Sequence, residues 1–460
     1  MSWGRPVTGS ADRFPASGRV AVLPWGDLIE DFLKPIGLSV DDFVEEMTGG
    51  WLFGYLDALA TAGLDSVLVC MTATVHEPVR RIHRPSGVPI WLLPPTRAYR
   101  EVRRRLSDPY AWNRTTATTG LVGARALAAA GLRHVAPYLS TPIRPLSRVL
   151  RKERCTAILC QEYEEARFDV CTAVGRFLGV PVYATFQGGE RQRTMLERVV
   201  RRRTINAAAG LIVASQAESR RIQQRYRVPS ERVTAIFNPL DLTRWPIGDR
   251  GAARALLGLH CDAKVAVWHG RVELWRKGLD ILVRAWAKIC TERPDDDLHL
   301  LLVGSGADCE QLRELLTDPV VRGIHWLDSY VNDRSRLRPH LDAADVYVFP
   351  SRHEGFAVAP VEAMACGLPL VAADAPGVRE LIPRGAQDGG IVVPVGDASG
   401  LADQLGALLD DRARCRELGA RARTRVEAAF ASAAVGRQLA GVLAGRPGQT
   451  MSTSGQAGCG

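Results

Sequence analysis

The sequence predicts an α/β protein with two doubly wound parallel sheets. Short apolar runs alternate with helical stretches across residues 19–214 and again across 264–373. Because crossovers between parallel strands are right-handed, such alternation gives sheets covered by helices on both faces. A stretch containing Pro and Gly, 237–248, separates the two series. We therefore expect two domains facing across a cleft, with ligands bound at the carboxyl ends of the strands.

The predicted boundaries place the first domain at residues 19–245 and the second at 246–430. Residues 1–18 are polar and rich in Pro and Gly, and 446–460 are rich in Ser, Thr and Gly. These compositions predict a flexible N-terminus and a disordered tail. At about 100–200 residues per domain, the chain is long enough for two domains with separate cores.

Six apolar runs predict the strands of the first domain, beginning at Arg19. An insertion, 25–48, follows the first strand and is longer than most strand–helix connections, which points to a functional or mobile segment. Gly49 and Gly50 then open a helical pattern that ends at Gly63. The other predicted strands are Ser66–Cys70, Ile90–Leu93, Ala157–Cys160, Val182–Phe186 and Leu211–Ala214.

Five apolar runs predict the strands of the second domain, and each is followed by a helical stretch. A short helix is expected after Ala359, ending at the Gly367-Leu-Pro turn. The predicted strands are Lys264–His269, Leu298–Val303, Ile324–Leu327, Val346–Phe349 and Leu370–Ala373.

The composition fits a soluble globular protein, with 46% hydrophobic and 24% charged residues. The ten cysteines are scattered without a CxxC pair, so neither a disulfide framework nor a zinc site is indicated. No apolar core follows basic residues at the N-terminus, so no signal peptide is predicted. The longest apolar stretch, 51–71, is interrupted by Asp57 and Asp65 and predicts a helix and a strand. A cytoplasmic protein is expected.

The net charge of +9 is distributed unevenly. Residues 1–245 hold 34 basic and 23 acidic side chains, and the remainder holds 25 and 27, so the first half carries the whole excess. The basic clusters are Arg103–Arg105, Arg151–Arg154 and Arg201–Arg203. They form either solvated helix faces or a surface that contacts an anionic membrane or a lipid phosphate. Nucleic acid is not an expected partner, because no reading motif accompanies the charge.

Glu354 and Glu362 flank a predicted strand-to-helix junction, with seven residues between them. Glu354 would lie in the loop and Glu362 near the first turn of the helix. A carboxylate at a helix N-terminus repels an anion but accepts hydrogen bonds from hydroxyl groups, such as those of a sugar and a ribose. The alternative is a surface helix with two solvated glutamates.

The surrounding residues decide between these interpretations. The run from Pro350-Ser-Arg-His-Glu354-Gly-Phe through Gly367-Leu-Pro-Leu-Val to Glu380 resembles the C-terminal signature of glycosyltransferase family 4. This family consists of retaining enzymes with the GT-B architecture of two Rossmann-like domains. The resemblance implies that residues 431–445 form a helix crossing back to the N-terminal domain. It also implies that Glu354 binds the donor sugar hydroxyls and Glu362 the ribose.

A second segment, His269-Gly270-Arg271 followed by Lys277-Gly278, resembles the family's G-R…K-G motif. The resemblance implies that Arg271 and Lys277 bind the diphosphate of a nucleotide-sugar donor. Cations stabilise the charge that develops on a leaving diphosphate. Lysine is scarce here, with five against 54 arginines, so its presence in the motif is not a product of composition.

Backbone groups and glycines complete the implied donor site. The segment Gly355, Phe356, Ala357 and Val358 would meet the sugar or phosphate at the start of the helix. Gly49 and Gly50 would let the N-terminal loop approach the donor closely. Gly304 and Gly306 form either a tight turn near the nucleotide or merely a turn. Neither a metal nor a cofactor is implied.

The N-terminal side departs from the family pattern. Where many members carry histidines at two strand ends, this chain has Gln161 and Gln187. Glutamine orients a hydroxyl but cannot take a proton at neutral pH. We expect both to position the donor sugar or the acceptor. His76 and His269 are the nearby histidines; His76 is expected in a loop, and His269 lining the cleft.

The function expected is transfer of a sugar to a glycan, lipid-linked or small-molecule acceptor at the cytoplasmic face of the membrane or in the cytoplasm. A catalytically silent relative that acts as a partner protein is the alternative. A glycan phosphorylase would need a pyridoxal phosphate lysine. A Rossmann oxidoreductase would need a G-x-G-x-x-G after an early strand, which is not found.

Overall fold

The computed structural model describes residues 18–48, 50–105, 135–186, 195–329, 331, 333–353 and 358–445. The chain forms two compact units. The first contains the described residues up to Phe237 and those from Val435 onward, and the second is Asn238–Ala434. The predicted flexible N-terminus, except Gly18, and the predicted tail lie outside the described residues.

The change of unit lies within the predicted 237–248 stretch but before residue 245. The predicted boundary, after residue 245, is eight residues later than the observed one. Leu240 accounts for this, because its N–H donates to the carbonyl of Phe430 at 2.7 Å and its carbonyl accepts from the N–H of Ser432 at 3.0 Å. Trp245 is 1% exposed, and its carbonyl accepts from Arg423 at 2.6 Å. These contacts attach residues 238–245 to the second unit.

The sheet of the first unit has eight strands in the order β3-β4-β2-β1-β5-β6-β7-β8. Among the strands that the structure describes in this unit, only the β3–β4 pair is antiparallel. The sequence patterns missed β3, an exposed and polar edge strand, and β8, which has three residues. The strands are β1 Arg19–Leu23, β2 Ser66–Met71, β3 Val79–Ile82, β4 Pro89–Leu93, β5 Cys155–Cys160, β6 Val182–Thr185, β7 Gly210–Val213 and β8 Val233–Ala235.

The sheet of the second unit has six parallel strands in the order β11-β10-β9-β12-β13-β14. Its five predicted strands are all present, and β14 was missed. The strands are β9 Lys264–His269, β10 Leu298–Val303, β11 Ile324–Leu327, β12 Val346–Phe349, β13 Leu370–Ala373 and β14 Gly390–Val393.

Helices connect the strands in both units. Those of the first unit are α1 Ile29–Leu33, α2 Val40–Glu45, α3 Gly50–Thr61, α4 Arg97–Arg105, α5 Ile143–Lys152, α6 Ala166–Leu178, α7 Met195–Ala207 and α8 Gln216–Tyr226. The helices from residue 250 onward are α9 Arg250–Leu256, α10 Leu279–Glu292, α11 Cys309–Leu316, α12 Arg334–Ala343, α13 Val358–Ala365, α14 Val378–Leu381, α15 Ala398–Asp410, α16 Arg412–Ala429 and α17 Ser432–Leu443.

The central strands of each sheet are buried on both faces, as the apolar runs predict. In β1, Ala21 and Leu23 pack in one core cluster, and Val20 and Val22 pack in another on the opposite face. The sequence alternation therefore encodes a sheet sandwiched between helices, and the predicted architecture of two parallel-sheet α/β domains is confirmed. None of the helices within the described ranges has the length and apolarity needed to cross a bilayer.

The insertion 25–48 contains the two short helices α1 and α2. Ser39 caps α2: its hydroxyl accepts from the N–H of Asp42 at 3.1 Å, and the Asp42 carboxylate accepts from the N–H of Ser39 at 2.8 Å. This reciprocal pair fixes the start of the helix. Phe43 and Val44 of α2 are fully buried, so the insertion is packed against the domain core.

Candidate functional site

Three neighbouring strands of the second unit end at one edge of the sheet. The central strand β9 ends at His269, and its neighbours β10 and β12 end at Val303 and Phe349. The loops that follow contain the predicted Arg271, Lys277 and glycines. This is the carboxyl edge at which open α/β sheets bind ligands.

The loops after β9 and β10 pack backbone against backbone. A Cβ atom at Gly304 would lie 1.8 Å from the carbonyl oxygen of Gly270, and one at Gly306 would lie 2.2 Å from that of Val272. Gly304 also has a φ of 138°, which is unfavourable for any other residue. These contacts account for both glycines as packing residues of the site's scaffold. A contact with the donor stays a prediction.

The loop 270–278 carries the two predicted diphosphate ligands. Arg271 is 72% exposed, and among the described residues its only ion pair is a 3.3 Å contact with Glu273, so its guanidinium can turn toward a ligand. Lys277 is half-buried, one residue before Gly278. A Cβ at Gly278 would lie 2.0 Å from the carbonyl oxygen of Pro350, so this end of the loop touches the segment after β12.

Two side chains that the sequence patterns did not single out hold these loops together. Arg352 donates to both carboxylate oxygens of Asp280, at 2.6 and 2.7 Å, and to the carbonyl of Trp275 at 2.7 Å. Asp308 accepts from the N–H of Leu274 at 2.7 Å. Arg352 lies within the C-terminal signature and Asp280 lies two residues after Gly278, but only the structure shows that they pair.

Glu362 is hydrogen-bonded to His269. The Nε2 of His269 lies 3.0 Å from Oε2 of Glu362, and the two side chains are 8% and 15% exposed. Because a carboxylate only accepts, Nε2 carries the hydrogen and donates it. Glu362 is the fifth residue of α13, slightly further along the helix than predicted, and that position brings it to the end of β9.

The bond fixes the orientation of the carboxylate. The other oxygen of Glu362 has no hydrogen-bond donor among the described residues, so it can accept from a ligand hydroxyl. The Nδ1 of His269 is buried and likewise has no hydrogen-bond partner in the described part of the chain. The sequence patterns placed His269 in the site but gave no sign of this pairing.

Several predicted site residues lie outside the described residues. They are Gly49, Gln187, Glu354, Gly355, Phe356 and Ala357. Val358 and Gly50 are the first residues of α13 and α3. The assignments of all these residues stay predictions.

Gln161 follows β5 at the carboxyl edge of the first unit's sheet. Its side chain is fully buried, and neither its amide nitrogen nor its amide oxygen has a hydrogen-bond partner among the described residues. An unpaired buried amide is costly, and a ligand hydroxyl or a water molecule would satisfy it. His76, the other histidine considered, lies exposed before β3 and contacts Arg100 at 3.1 Å.

Asp27 in the insertion after β1 is a titratable group that the sequence patterns missed. Burial raises its pKa to about 6, with a further contribution from the charge of Glu165. The Tyr99 hydroxyl donates to Asp27 at 3.1 Å, and Arg167 donates to its backbone carbonyl at 2.6 Å. Arg167 also donates to the carbonyl of Pro24, which fixes the loop at this edge.

The raised pKa of Asp27 predicts a pH-dependent stability. Because its folded pKa of about 6 exceeds its ordinary value of 3.8, its contribution is full below about pH 4 and is lost as the pH rises through 6. Relative to Asp27→Asn, the wild type should lose on the order of 1 kcal/mol of unfolding free energy between about pH 5 and pH 8. Urea denaturation of both proteins at the two pH values measures this. A difference that is constant with pH would contradict the assignment.

The matches to protein families cover both units. Residues 122–244 match the model described as Glycosyltransferase Family 4, and residues 263–411 match the model described as Glycosyl transferases group 1. The second match contains Arg271, Lys277 and Glu362. The first match extends seven residues past the change of unit at Asn238, and the second begins at residue 263, just before β9.

Curated proteins that are named as glycosyltransferases also match part of the chain. A D-inositol 3-phosphate glycosyltransferase of Nocardia farcinica is 34% identical over 232 residues, which are 49% of this chain and 51% of that protein. A lipopolysaccharide core biosynthesis mannosyltransferase of Rhizobium meliloti is 30% identical over 210 residues, covering 45% of this chain and 60% of the relative. The match thus spans about half the length of the curated relatives.

Solved structures share the fold. HepE of Anabaena, in complex with UDP, superimposes with a TM-score of 0.65 and 18% identity over 93% of this chain and all of that one. Sucrose-phosphate synthase of Thermosynechococcus elongatus gives a TM-score of 0.61 and 22% identity over 92% of this chain and 97% of the other. These likenesses show that the chain has the GT-B fold. The two family models match one glycosyltransferase segment in the first part of the chain and one in the second.

Proposed function

We propose that this protein is a retaining glycosyltransferase that moves a sugar from a nucleotide-diphosphate sugar to an acceptor hydroxyl. The observation that carries the proposal is the 3.0 Å bond between His269 and Glu362 at the carboxyl edge where the Arg271 and Lys277 loop begins. One edge thus combines an oriented carboxylate with two cations. That combination suits a ribose hydroxyl and a diphosphate in one ligand.

Arg271 and Lys277 would stabilise the transition state. As the bond between the sugar carbon and the diphosphate breaks, negative charge develops on the leaving phosphate oxygen. Fixed cations stabilise that charge more than they stabilise the bound donor, and so raise the rate of the chemical step. The Anabaena neighbour has been solved with UDP-glucose, which supports a nucleotide-sugar donor here.

Retention of configuration is part of the proposal. In a front-face displacement the acceptor oxygen bonds to the sugar carbon on the side the diphosphate leaves, and the acceptor proton passes to the departing phosphate oxygen. No protein base is then needed, so Gln161 is compatible with activity. Gln161 and Gln187 would orient hydroxyl groups, and Glu354 would bind the donor sugar.

We further propose that catalysis needs no metal. The one group of potential ligands within 4.8 Å of one another in the described part of the chain is the exposed trio His260, Cys261 and Asp262. It precedes β9, at the opposite end of that strand from Arg271, and Asp262 is paired with Arg412 at 2.8 Å. Arg271 and Lys277 would stabilise the charge of the leaving diphosphate, as a bound metal ion does in other enzymes.

The acceptor would be a glycan, a lipid-linked sugar or a small molecule with a free hydroxyl. The relatives named for inositol phosphate and for lipopolysaccharide core synthesis support this range. Because the excess positive charge lies in residues 1–245, we also propose a cytoplasmic enzyme that contacts the inner membrane face peripherally.

Turnover with defined donors tests the proposal. The full chain is incubated with UDP-, GDP-, ADP- and TDP-sugars and candidate acceptors, with and without EDTA, and the product linkage is determined by NMR. We expect one nucleotide class to be consumed, an unchanged anomeric configuration and no effect of EDTA. An inverted product would contradict retention, and inhibition by EDTA would contradict metal independence. Failure of every donor would favour a silent partner protein.

A further inference from the structure

A groove lies between α5 and α6 on the surface of the first unit. It has a volume of about 310 Å³ and combines basic with apolar side chains. Its lining residues, which we call the basic groove, are Ile143, Arg144, Ser147, Arg148, Arg151, Ala173, Val174 and Phe177.

The apolar part of the basic groove is unusually exposed. Phe177 is 79% exposed and Ile143 is 56% exposed, although both belong to helices whose other apolar residues are mainly buried. Leu146, Val149 and Leu150 on the inner face of α5 already hold that helix in the core. The outer apolar pair therefore contributes little to folding, and it lies beside the arginines of the same groove.

The three arginines of α5 are not explained by helix stability. Arg144 is in the first turn, where a cation opposes the helix dipole, and no acidic residue accompanies it there. By contrast, on α16 the arginines at 421 and 423 pair with glutamates four residues away. Arg144, Arg148 and Arg151 have no carboxylate partner among the described residues, and 143–152 contains no acidic residue.

We propose that the basic groove binds the headgroups of anionic membrane lipids, with Phe177 and Ile143 inserting at the headgroup boundary. Three unneutralised guanidinium groups complement lipid phosphates, and a helix with one basic face and neighbouring exposed apolar side chains suits a membrane interface. A soluble anion would pair with the guanidinium groups but would leave Phe177 exposed to water. This inference deepens the peripheral contact proposed above by assigning it to one surface.

Vesicle co-sedimentation of the full chain tests the assignment. Vesicles of phosphatidylcholine alone are compared with an equimolar mixture of phosphatidylcholine and phosphatidylglycerol. The test protein is the triple variant Arg144→Gln, Arg148→Gln, Arg151→Gln, and a second variant is Phe177→Ser. The matched control is Arg198→Gln, Arg202→Gln, Arg203→Gln on α7, where three exposed arginines are removed with the same change in net charge.

We expect binding to the anionic vesicles only, reduced on the order of 100-fold by the α5 triple variant and much less by the α7 control. Phe177→Ser should weaken binding severalfold at high salt, where charge is screened. Equal losses of vesicle binding in both triple variants would overturn the assignment to the basic groove, because general charge attraction would then explain the binding. No binding by the wild type would overturn the peripheral contact as well. Thermal unfolding and turnover of the preferred nucleotide sugar with a water-soluble acceptor, measured in parallel, should be unchanged in all variants.

Discussion

Replacing both Arg271 and Lys277 with Ala is expected to lower kcat by at least 100-fold. Each cation would face charge that appears only as the sugar–phosphate bond breaks, and removing one preorganised group of this kind costs about 2.7–4 kcal/mol of transition-state stabilisation. The effect should fall on kcat more than on KM, because the bound donor already carries much of its charge. Steady-state kinetics with the preferred donor measures the change.

The neighbouring Arg276 provides the control for this prediction. Its side chain is 46% exposed and contacts Glu273 at 3.3 Å, the same partner and distance as Arg271. Arg276→Ala should retain kcat within about threefold, since the prediction assigns it no phosphate contact. Arg271→Ala should leave the unfolding free energy within about 0.5 kcal/mol, as its side chain is largely exposed. Equal kinetic losses at Arg271 and Arg276 would show only that the loop needs positive charge.

Glu362→Ala is expected to weaken nucleotide binding by roughly 10–150-fold. A hydrogen bond to a charged group contributes about 1.5–3 kcal/mol, and the carboxylate offers its free oxygen to the ribose. His269→Gln should weaken binding about tenfold by releasing that carboxylate from its orientation. Isothermal titration with the preferred nucleotide diphosphate measures both variants.

A double-mutant cycle separates positioning from independent contact. If His269 acts through Glu362, then adding His269→Gln to Glu362→Ala should cause little further loss. Fully additive losses would mean that His269 contacts the nucleotide by itself. Tyr347 packs edge-on against the His269 ring at 5.4 Å, so the unfolding free energy of each variant is the necessary control for a local repacking effect.

The sequence predicted the sheets well because each parallel strand is buried on both faces and therefore reads as an apolar run. It failed at β3, β8 and β14, where exposure, shortness or partial burial weakens that signal. Within the site, the resemblance to the family's motifs pointed to Arg271, Lys277 and Glu362, whose roles stay predictions. The pairing of Glu362 with His269 depends on a helix meeting a strand 93 residues away in the chain, so no local pattern encodes it. The burial behind the raised pKa of Asp27 is likewise a tertiary property.

The central claim is that the edge formed by His269, Glu362 and the 270–278 loop binds a nucleotide diphosphate. A thermal-shift measurement of the full chain with UDP, GDP, ADP and TDP, alone and as their sugars, tests it most directly. The predicted result is a selective rise in Tm with one nucleotide, abolished by Glu362→Ala or Lys277→Ala and retained in Arg276→Ala. A well-folded protein that shows no shift with any of them, or a shift that survives both substitutions, would contradict the claim.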